Sequence, residues 1–197
     1  MSCRKAGEGA AERKCLYMRI RLEDACCVAV DYQEKFMPVI AERERLLANS
    51  GRLLKGMQIL EVPVFITTQY AKGLGATVQE ITEAVGEAET FDKKSFSIYG
   101  DAAVQNHLKA LGRKQVILCG IEAHICVMQS ALELLDAGYE PVLVEDCISA
   151  RSLNDKDVAM LRARAEGVTV TTYEALLFEL MQSAEHGKFR QISNLVK

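Results

Sequence analysis

The sequence predicts an α/β protein with three α/β/α layers around a doubly wound, mostly parallel sheet of about six strands. Short apolar runs rich in β-branched residues alternate with longer segments of helical period. Several of the helical segments end at a glycine, which is a common residue at a helix C-terminus. Such alternation indicates βαβ units with right-handed crossovers. We expect a single domain over residues 17–197, preceded by a flexible N-terminal tail over residues 1–16.

The predicted strands are short and almost continuously apolar, as in strands that are buried on both faces of a sheet. Pro63 and Pro141 stand at strand starts, where the missing N–H does least harm. A short stretch at 89–92 predicts an additional strand. The other predicted strands cover residues 25–31, 62–68, 115–119, 141–144 and 168–172.

Helices are predicted between these strands from apolar residues at a period near 3.6. Asn154 or Asp155 is the expected N-cap of the helix that ends at Glu166. The last helix, 189–196, either packs on its own domain or covers a neighbouring copy. The remaining predicted helices cover residues 40–60, 102–111, 125–137 and 173–183.

Charge and hydropathy argue against several functional classes. Lys and Arg total 24 and Asp and Glu total 27, so the net charge is −3. A mildly acidic chain lacks the basic footprint of a nucleic-acid or anionic-membrane binder, and no apolar run is long enough to span a bilayer. The N-terminal region lacks the apolar core of a signal peptide. We therefore expect a cytoplasmic protein, with a mitochondrial presequence as the less favoured alternative.

The cysteines indicate a reducing compartment. There are seven, several of them inside apolar runs, and an odd count without a secretory signal argues against a disulfide scaffold. The sequence contains no Cys-x-x-Cys pair, and its three histidines are far apart. A structural zinc site is therefore not expected.

Reactive side chains follow three of the predicted strands. In an open parallel sheet, ligands bind outside the carboxyl ends of the strands, where the strand order reverses. Asp31 closes the first strand, and Lys93 and Lys94 follow the stretch at 89–92. Cys126 lies where a strand turns into a helix, and Gly120 supplies the backbone freedom for that turn. These positions predict that the side chains meet in one crevice.

Each of these residues also has an ordinary structural role. Aspartate at a strand end commonly forms a turn, cysteine is commonly a small core residue, and lysine is commonly solvated. Cys126 differs from the other cysteines because it lies off the apolar stripe of its helix and near the helix N-terminus. A helix N-terminus and a nearby cation both lower a thiol pKa, so we expect a thiolate. His124 points away from Cys126 on a helix, which leaves Asp31 as the best-placed base.

Three segments together resemble the motifs of isochorismatase-like hydrolases. They are Asp31-Tyr32-Gln33-Glu34-Lys35-Phe36, Lys93-Lys94-Ser95-Phe96-Ser97 and Gly120-Ile121-Glu122-Ala123-His124-Ile125-Cys126-Val127. The similarity spans about residues 25–180. The segment 69–75 is most similar to the isochorismatase-domain-containing branch, some members of which carry a ribonuclease label. The resemblance implies the Rossmann-like fold of this superfamily.

The resemblance also implies a catalytic triad of Asp31, Lys93 and Cys126. In the family pattern the aspartate moves the thiol proton, the lysine stabilises the charges, and the cysteine attacks a carbonyl carbon to form a thioester. It further implies a cis peptide bond between Ile121 and Glu122, with the N–H groups of Glu122 and Cys126 as oxyanion donors. Lys93 is chosen over Lys94 because the motif places its lysine three residues before the aromatic residue. The expected pocket residues are Gln33, Phe36 and Tyr70.

Departures from related families narrow the expected chemistry. Nicotinamidases of this superfamily carry a metal-binding histidine pattern after the second strand, but residues 68–75 contain no histidine. We therefore expect no metal and no other cofactor. Cys126 argues against the enol-ether cleavage of true isochorismatases, which need not keep the cysteine. A ribonuclease is not favoured because the sequence lacks a basic groove and a paired set of histidines.

The leading hypothesis is a metal-independent cysteine hydrolase of a small amide or another C–N substrate, without nucleic-acid or membrane partners. The competing hypotheses are a catalytically weak or inactive scaffold of the same fold and a thiol redox sensor at Cys126. The sensor ranks lower because its segment contains no resolving cysteine. The resemblance also implies a homo-oligomer.

Overall fold

Six parallel strands form the centre of the fold, and the computed structural model describes residues 19–197. The strands are β1 (Ala25–Val30), β2 (Val64–Gln69), β3 (Thr90–Lys93), β4 (Gln115–Gly120), β5 (Glu140–Ile148) and β6 (Thr169–Thr171). Their order is β3-β2-β1-β4-β5-β6, and every pairing is parallel. The predicted sheet is confirmed. The predicted tail, residues 1–16, lies outside the described residues.

Two strands differ from their predicted bounds in an informative way. The additional strand expected at 89–92 is β3, and Lys93 is its last residue rather than part of an exit loop. β5 extends well beyond the predicted 141–144, through the polar residues Glu145 and Asp146. Its pairing with β4 shifts register between Leu118 and Gly120. The half-buried polar pair interrupts the apolar run, so the sequence pattern does not reveal the second half of the strand.

Helices cover both faces of the sheet. They are α1 (Arg43–Ile59), α2 (Ala71–Leu74), α3 (Gln79–Val85), α4 (Ala102–Leu111), α5 (Met128–Asp136), α6 (Leu153–Ala165), α7 (Tyr173–Met181) and α8 (Phe189–Leu195). The expected cap of α6 at Asn154 or Asp155 is wrong, because the extended residue Ser152 is the N-cap and both candidates lie in the first turn. Helices α2 and α3 are too short for a clear helical period in the sequence.

The sheet separates two apolar cores, as the predicted three layers require. All six residues of β1 are fully buried, and they alternate between the cores. Ala25, Cys27 and Ala29 contribute to the core under α1, α3, α7 and α8. Cys26, Val28 and Val30 contribute to the core under α4, α5 and α6.

The last helix packs on its own domain. Ile192 of α8 is fully buried in the core that also contains residues of α1 and α7. The Phe189 ring meets the Phe178 ring edge-on, with 6.2 Å between the ring centroids. Of the two alternatives for this helix, the structure has the intramolecular one.

The strand order reverses between β1 and β4, because the chain leaves their carboxyl ends towards opposite edges of the sheet. At this point Gly120 has a φ of 125°, and a Cβ there would lie 2.0 Å from the Val30 carbonyl oxygen. Ile121 then donates a hydrogen bond of 3.0 Å from its N–H to the same oxygen. Only glycine permits this approach, and it brings the end of β4 beside Asp31.

We expect Gly120→Ala to lower the free energy of unfolding by more than about 3 kcal/mol, because it adds a steric clash to backbone strain. Gly112→Ala is the control, since Gly112 also has a positive φ but nothing lies within 4 Å of an added Cβ. The control should lose only about 1 kcal/mol. Urea unfolding of both variants measures the difference, and equal losses would refute the proposed close approach.

Candidate active site

A buried ion pair joins the ends of β1 and β3, which are separated in the sheet by β2. Lys93 Nζ lies 2.6 Å from Asp31 Oδ2, and both side chains are fully buried. Asp31 follows β1 with a φ of 54°, in the left-handed region. Its other oxygen, Oδ1, accepts a hydrogen bond of 2.8 Å from Thr67 Oγ1 on β2. Three adjacent strands therefore contribute to one network.

The Lys93 ammonium has an acceptor for each of its three N–H donors. Besides Asp31, Nζ donates to Gln69 Oε1 at 2.9 Å and to the Ser95 carbonyl at 3.3 Å. Gln69 Nε2 in turn donates to the Lys94 carbonyl at 2.8 Å, which fixes the orientation of the amide. The Lys94 residue itself is exposed. Of the two neighbouring lysines, the structure brings only Lys93 to Asp31.

Cys126 faces this pair from the other side of the crevice. It lies on a π-helical turn, Ala123–Val127, between β4 and α5, and it is 5% exposed. Burial raises the pKa of the Cys126 thiol to about 12, with the Asp31 charge as the next largest cause. The Lys93 charge acts in the opposite direction and lowers this pKa.

The expectation of a resting thiolate is therefore wrong. The Lys93 cation lowers the pKa, but the desolvation of the buried thiol outweighs it. Cys126 is a neutral thiol at neutral pH. The Asp31 carboxylate lies close enough for its charge to raise the thiol pKa, so a group that can accept the proton is near the sulfur.

The turn that precedes Cys126 is tied to the loop after β5. The Ile121–Glu122 peptide bond is cis, which is the geometry that the family resemblance implies. The buried Glu122 carboxylate accepts hydrogen bonds from Arg151, at 3.0 Å from the backbone N and 3.1 Å from Nε. The Glu122 backbone lowers the pKa of the Cys126 thiol, so this peptide group lies near the sulfur.

A cavity of about 390 Å³ opens in front of Cys126. Its wall is mostly apolar, with charged groups from Lys35, Glu122 and Arg151, and Gln69 links it to the buried ion pair. The apolar lining residues are Phe36, Val39, Leu74, Phe96 and Ile125. A cavity of this size fits a small molecule.

Two of the expected pocket residues do not line this cavity. Gln33 is fully buried, and its amide bridges two segments of main chain. Its Nε2 donates to the Gly75 carbonyl at 2.8 Å, and its Oε1 accepts from the Gln69 N–H at 2.7 Å. Tyr70 is 49% exposed and is absent from the cavity lining. Phe36 does line the cavity, as expected for a residue that follows a strand end.

Sequence reasoning overlooked Thr67 and Gln69. Both lie on β2 two residues apart, so their side chains share one face of the strand. Three consecutive polar residues at the end of an otherwise apolar strand, Thr67, Thr68 and Gln69, are the available signal. That signal becomes meaningful only when β2 is known to lie between β1 and β3.

Comparison with known proteins identifies the family. The isochorismatase domain model matches residues 25–175. The chain belongs to the isochorismatase family. This assignment supports membership of a hydrolase superfamily and agrees with the resemblance of the three motifs.

The relatives cover most of this chain. Isochorismatase domain-containing protein 2 from Danio rerio is 40% identical over 179 residues, which cover 90% of this chain and 89% of that protein. Isochorismatase domain-containing protein 1 from Salmo salar is 40% identical over 87% of this chain, which spans only 59% of that protein. The solved structure of MAR1 ribonuclease from Caenorhabditis elegans is 35% identical, with a TM-score of 0.86 and coverage of 91% of this chain and 92% of that one.

Residues 19–197 contain neither a membrane-spanning helix nor a candidate metal-binding cluster. In this range, no helix has the length and apolar character to cross a membrane. The same residues contain no group of three or more His, Cys, Asp or Glu side chains that could hold a metal ion.

We expect Lys93→Met and Asp31→Asn each to lower the free energy of unfolding by about 3–5 kcal/mol, because each leaves a buried polar or charged partner uncompensated. The double variant should lose clearly less than the sum of the two. Lys94→Met is the matched control, with an expected change within about 0.5 kcal/mol. Urea unfolding measures all four, and strictly additive losses would contradict the coupling.

Replacing Asp31 and replacing Lys93 should change the alkylation rate of Cys126 in opposite directions, because their charges shift the thiol pKa in opposite directions. Asp31→Asn should speed the reaction of Cys126 with iodoacetamide above pH 8, because removing the carboxylate lowers the thiol pKa. Lys93→Met should slow it, because the cation lowers that pKa in the parent. Peptide mass spectrometry follows the rates at Cys126. Faster alkylation in Lys93→Met would contradict the assigned charge effects.

Proposed function

We propose that the protein is a cysteine hydrolase that cleaves a small amide or a related C–N substrate through Asp31, Lys93 and Cys126. One observation carries the proposal. Cys126, a buried thiol at a small-molecule cavity, lies close enough to the Asp31 carboxylate for that charge to raise its pKa, and the carboxylate is itself held by a fully buried ammonium group. A nucleophile, a base and a group that orients the base are the elements that covalent catalysis requires.

In the first step, Cys126 Sγ attacks the carbonyl carbon of the substrate while Asp31 accepts the thiol proton. This transfer makes a thiolate only as the S–C bond forms, which suits a thiol with a pKa of about 12. The carbonyl oxygen becomes an oxyanion, and the backbone N–H groups of Glu122 and Cys126 are the proposed donors to it. Lys93 remains beside Asp31 and stabilises the charge distribution of the site.

In the second step, Asp31 gives the proton to the nitrogen of the leaving group. The C–N bond breaks, the amine or ammonia departs, and the acyl group stays on Cys126 as a thioester. Water then attacks the thioester, with Asp31 as the base, and the carboxylic acid product leaves with the thiol restored. Side chains, backbone and water handle every proton in this cycle, so the proposal requires no metal ion or cofactor.

The cavity supports a small substrate. Its volume of about 390 Å³ is near the lower end of small-molecule sites. The apolar wall suits a short hydrocarbon segment, whereas Arg151, Glu122 and Lys35 are available to polar substituents. The competing hypothesis, a scaffold with the same fold and negligible turnover, makes no use of this cavity.

We expect the parent to release ammonia from at least one member of a panel of small primary amides and N-carbamoyl compounds, and Cys126→Ala to abolish the release. Asp31→Asn should reduce turnover by about 10²- to 10⁴-fold, because it removes the proton acceptor. Lys93→Met should also reduce turnover, because it removes the cation that stabilises the charges of the site. Lys94→Met is its matched control and should retain the parent rate. An enzyme-coupled ammonia assay reads these rates.

Rapid acid quenching during turnover should reveal a peptide that contains Cys126 with the added mass of the acyl group. Hydroxylamine should remove that mass, as it does for a thioester. Turnover that persists in Cys126→Ala would refute the nucleophile. If no compound of the panel releases ammonia or acylates Cys126, the result would favour the scaffold hypothesis.

A further inference from the structure

Thr67 carries a buried hydroxyl group to which the proposed hydrolysis gives no role. The residue lies on β2 and is fully buried, and its neighbours on the two adjacent strands are the apolar residues Val30 and Phe91. A hydroxyl in such a place requires a hydrogen-bond partner. Within residues 19–197, the partner of Thr67 Oγ1 is Asp31 Oδ1, at 2.8 Å. The buried hydroxyl is therefore directed at the proposed base.

Thr67 and Asp31 are joined at two points. Besides the bond between the side chains, the Asp31 backbone N–H donates to the Thr67 carbonyl at 3.1 Å. Asp31 has a φ of 54°, a left-handed conformation that an aspartate keeps only where its surroundings hold it. The two bonds to one residue thus fix both the main chain and the carboxylate of Asp31 relative to β2.

Lys93 and Thr67 bind different oxygens of the Asp31 carboxylate. The ammonium group binds Oδ2, and its own position is set by Gln69 and the Ser95 carbonyl. A carboxylate that is bonded through one oxygen can still turn about its Cβ–Cγ bond, because this torsion has no sharply preferred angle. Thr67 binds Oδ1, so the two donors together fix the plane of the carboxylate. A hydroxyl does this without placing a second positive charge beside the base.

We propose that Thr67 is a positioning residue for Asp31, an inference that rests on the proposed hydrolysis. Its hydroxyl holds the carboxylate in the orientation that accepts the thiol proton of Cys126 and returns that proton to the leaving nitrogen. Proton transfer requires a donor and an acceptor within hydrogen-bond reach, so a rotated carboxylate slows both steps. Thr67 does not belong to the cavity lining, so it acts through Asp31 and not on the substrate.

Thr68 provides a matched control on the same strand. Its Oγ1 donates to the Asp92 carboxylate at 3.0 Å, and the residue is buried like Thr67. Successive side chains of a strand point to opposite faces, so Thr68 forms the same type of bond without contacting Asp31. Thr68→Val therefore removes one hydroxyl–carboxylate bond from β2, as Thr67→Val does, and leaves the proposed base untouched.

Steady-state kinetics with the panel amide that is hydrolysed fastest tests the positioning role. Thr67→Val and Thr67→Ala should each lower kcat by about 10- to 100-fold and leave KM nearly unchanged, because the substrate contacts remain. Thr67→Ser keeps a hydroxyl and should recover most of the loss, whereas Thr68→Val should keep the parent kcat. Far-UV circular dichroism checks that each variant is folded. A parent-like kcat in Thr67→Val, no recovery in Thr67→Ser, or an equal loss in Thr68→Val overturns the proposal.

Alkylation of Cys126 by iodoacetamide tests the same role without turnover. The Asp31 charge raises the pKa of the thiol, so a carboxylate that is free to turn away should raise it less. Thr67→Val should therefore react faster than the parent above pH 8, in the same direction as Asp31→Asn, while Thr67→Ser and Thr68→Val should match the parent. If no amide of the panel is hydrolysed, the proposed function fails, and this rate alone decides whether Thr67 positions Asp31. A Thr67→Val rate equal to the parent rate overturns the positioning role.

Discussion

The buried ion pair between Lys93 and Asp31 is the constraint on which the rest of the site depends. Removing two charges from water costs several kcal/mol per ion, and their attraction offsets this cost only when every remaining donor and acceptor is satisfied. Thr67, Gln69 and the Ser95 carbonyl meet that requirement here. Asp31 follows β1, Thr67 and Gln69 lie on β2, and Lys93 ends β3, so the network requires these three strands to be neighbours in the sheet. The pair in turn fixes the carboxylate that faces the thiol.

The second constraint is the close approach of β4 to β1. Without a side chain at Gly120, the backbone passes the Val30 carbonyl and directs the following turn across the end of the sheet. The Glu122 carboxylate then joins this turn to the backbone and side chain of Arg151. Cys126 is therefore held from two sides, by the β1–β4 contact and by the loop after β5. Desolvation is the consequence of this enclosure, and it explains why the thiol is neutral at rest.

Much of the fold could be predicted from the sequence because buried parallel strands such as β1 and β4 leave continuous apolar runs. The edge strand β3 lacks such a run, since Phe91 is its one apolar residue and only Lys93 is buried. Residues Asp31, Lys93 and Cys126 could be proposed because each stands at a strand end or motif position, and the structure brings them together. The thiol pKa could not be predicted, since desolvation depends on atoms from distant segments. The roles of Gln33 and Gln69 could not be predicted for the same reason. Gln33 joins main-chain segments that are distant in sequence, and Gln69 binds Lys93 on another strand.

The central claim is that Cys126 rests as a neutral thiol and loses its proton to Asp31 only during attack. A titration of Cys126 labelled with ¹³C at Cβ, followed by NMR in the absence of substrate, tests this claim most directly. The account predicts no thiol ionisation between pH 6 and about 10, since burial and the Asp31 charge raise the pKa to about 12. A thiolate signal that titrates near or below pH 8 would contradict it, and would assign the resting charge to a Cys126–Lys93 pair instead.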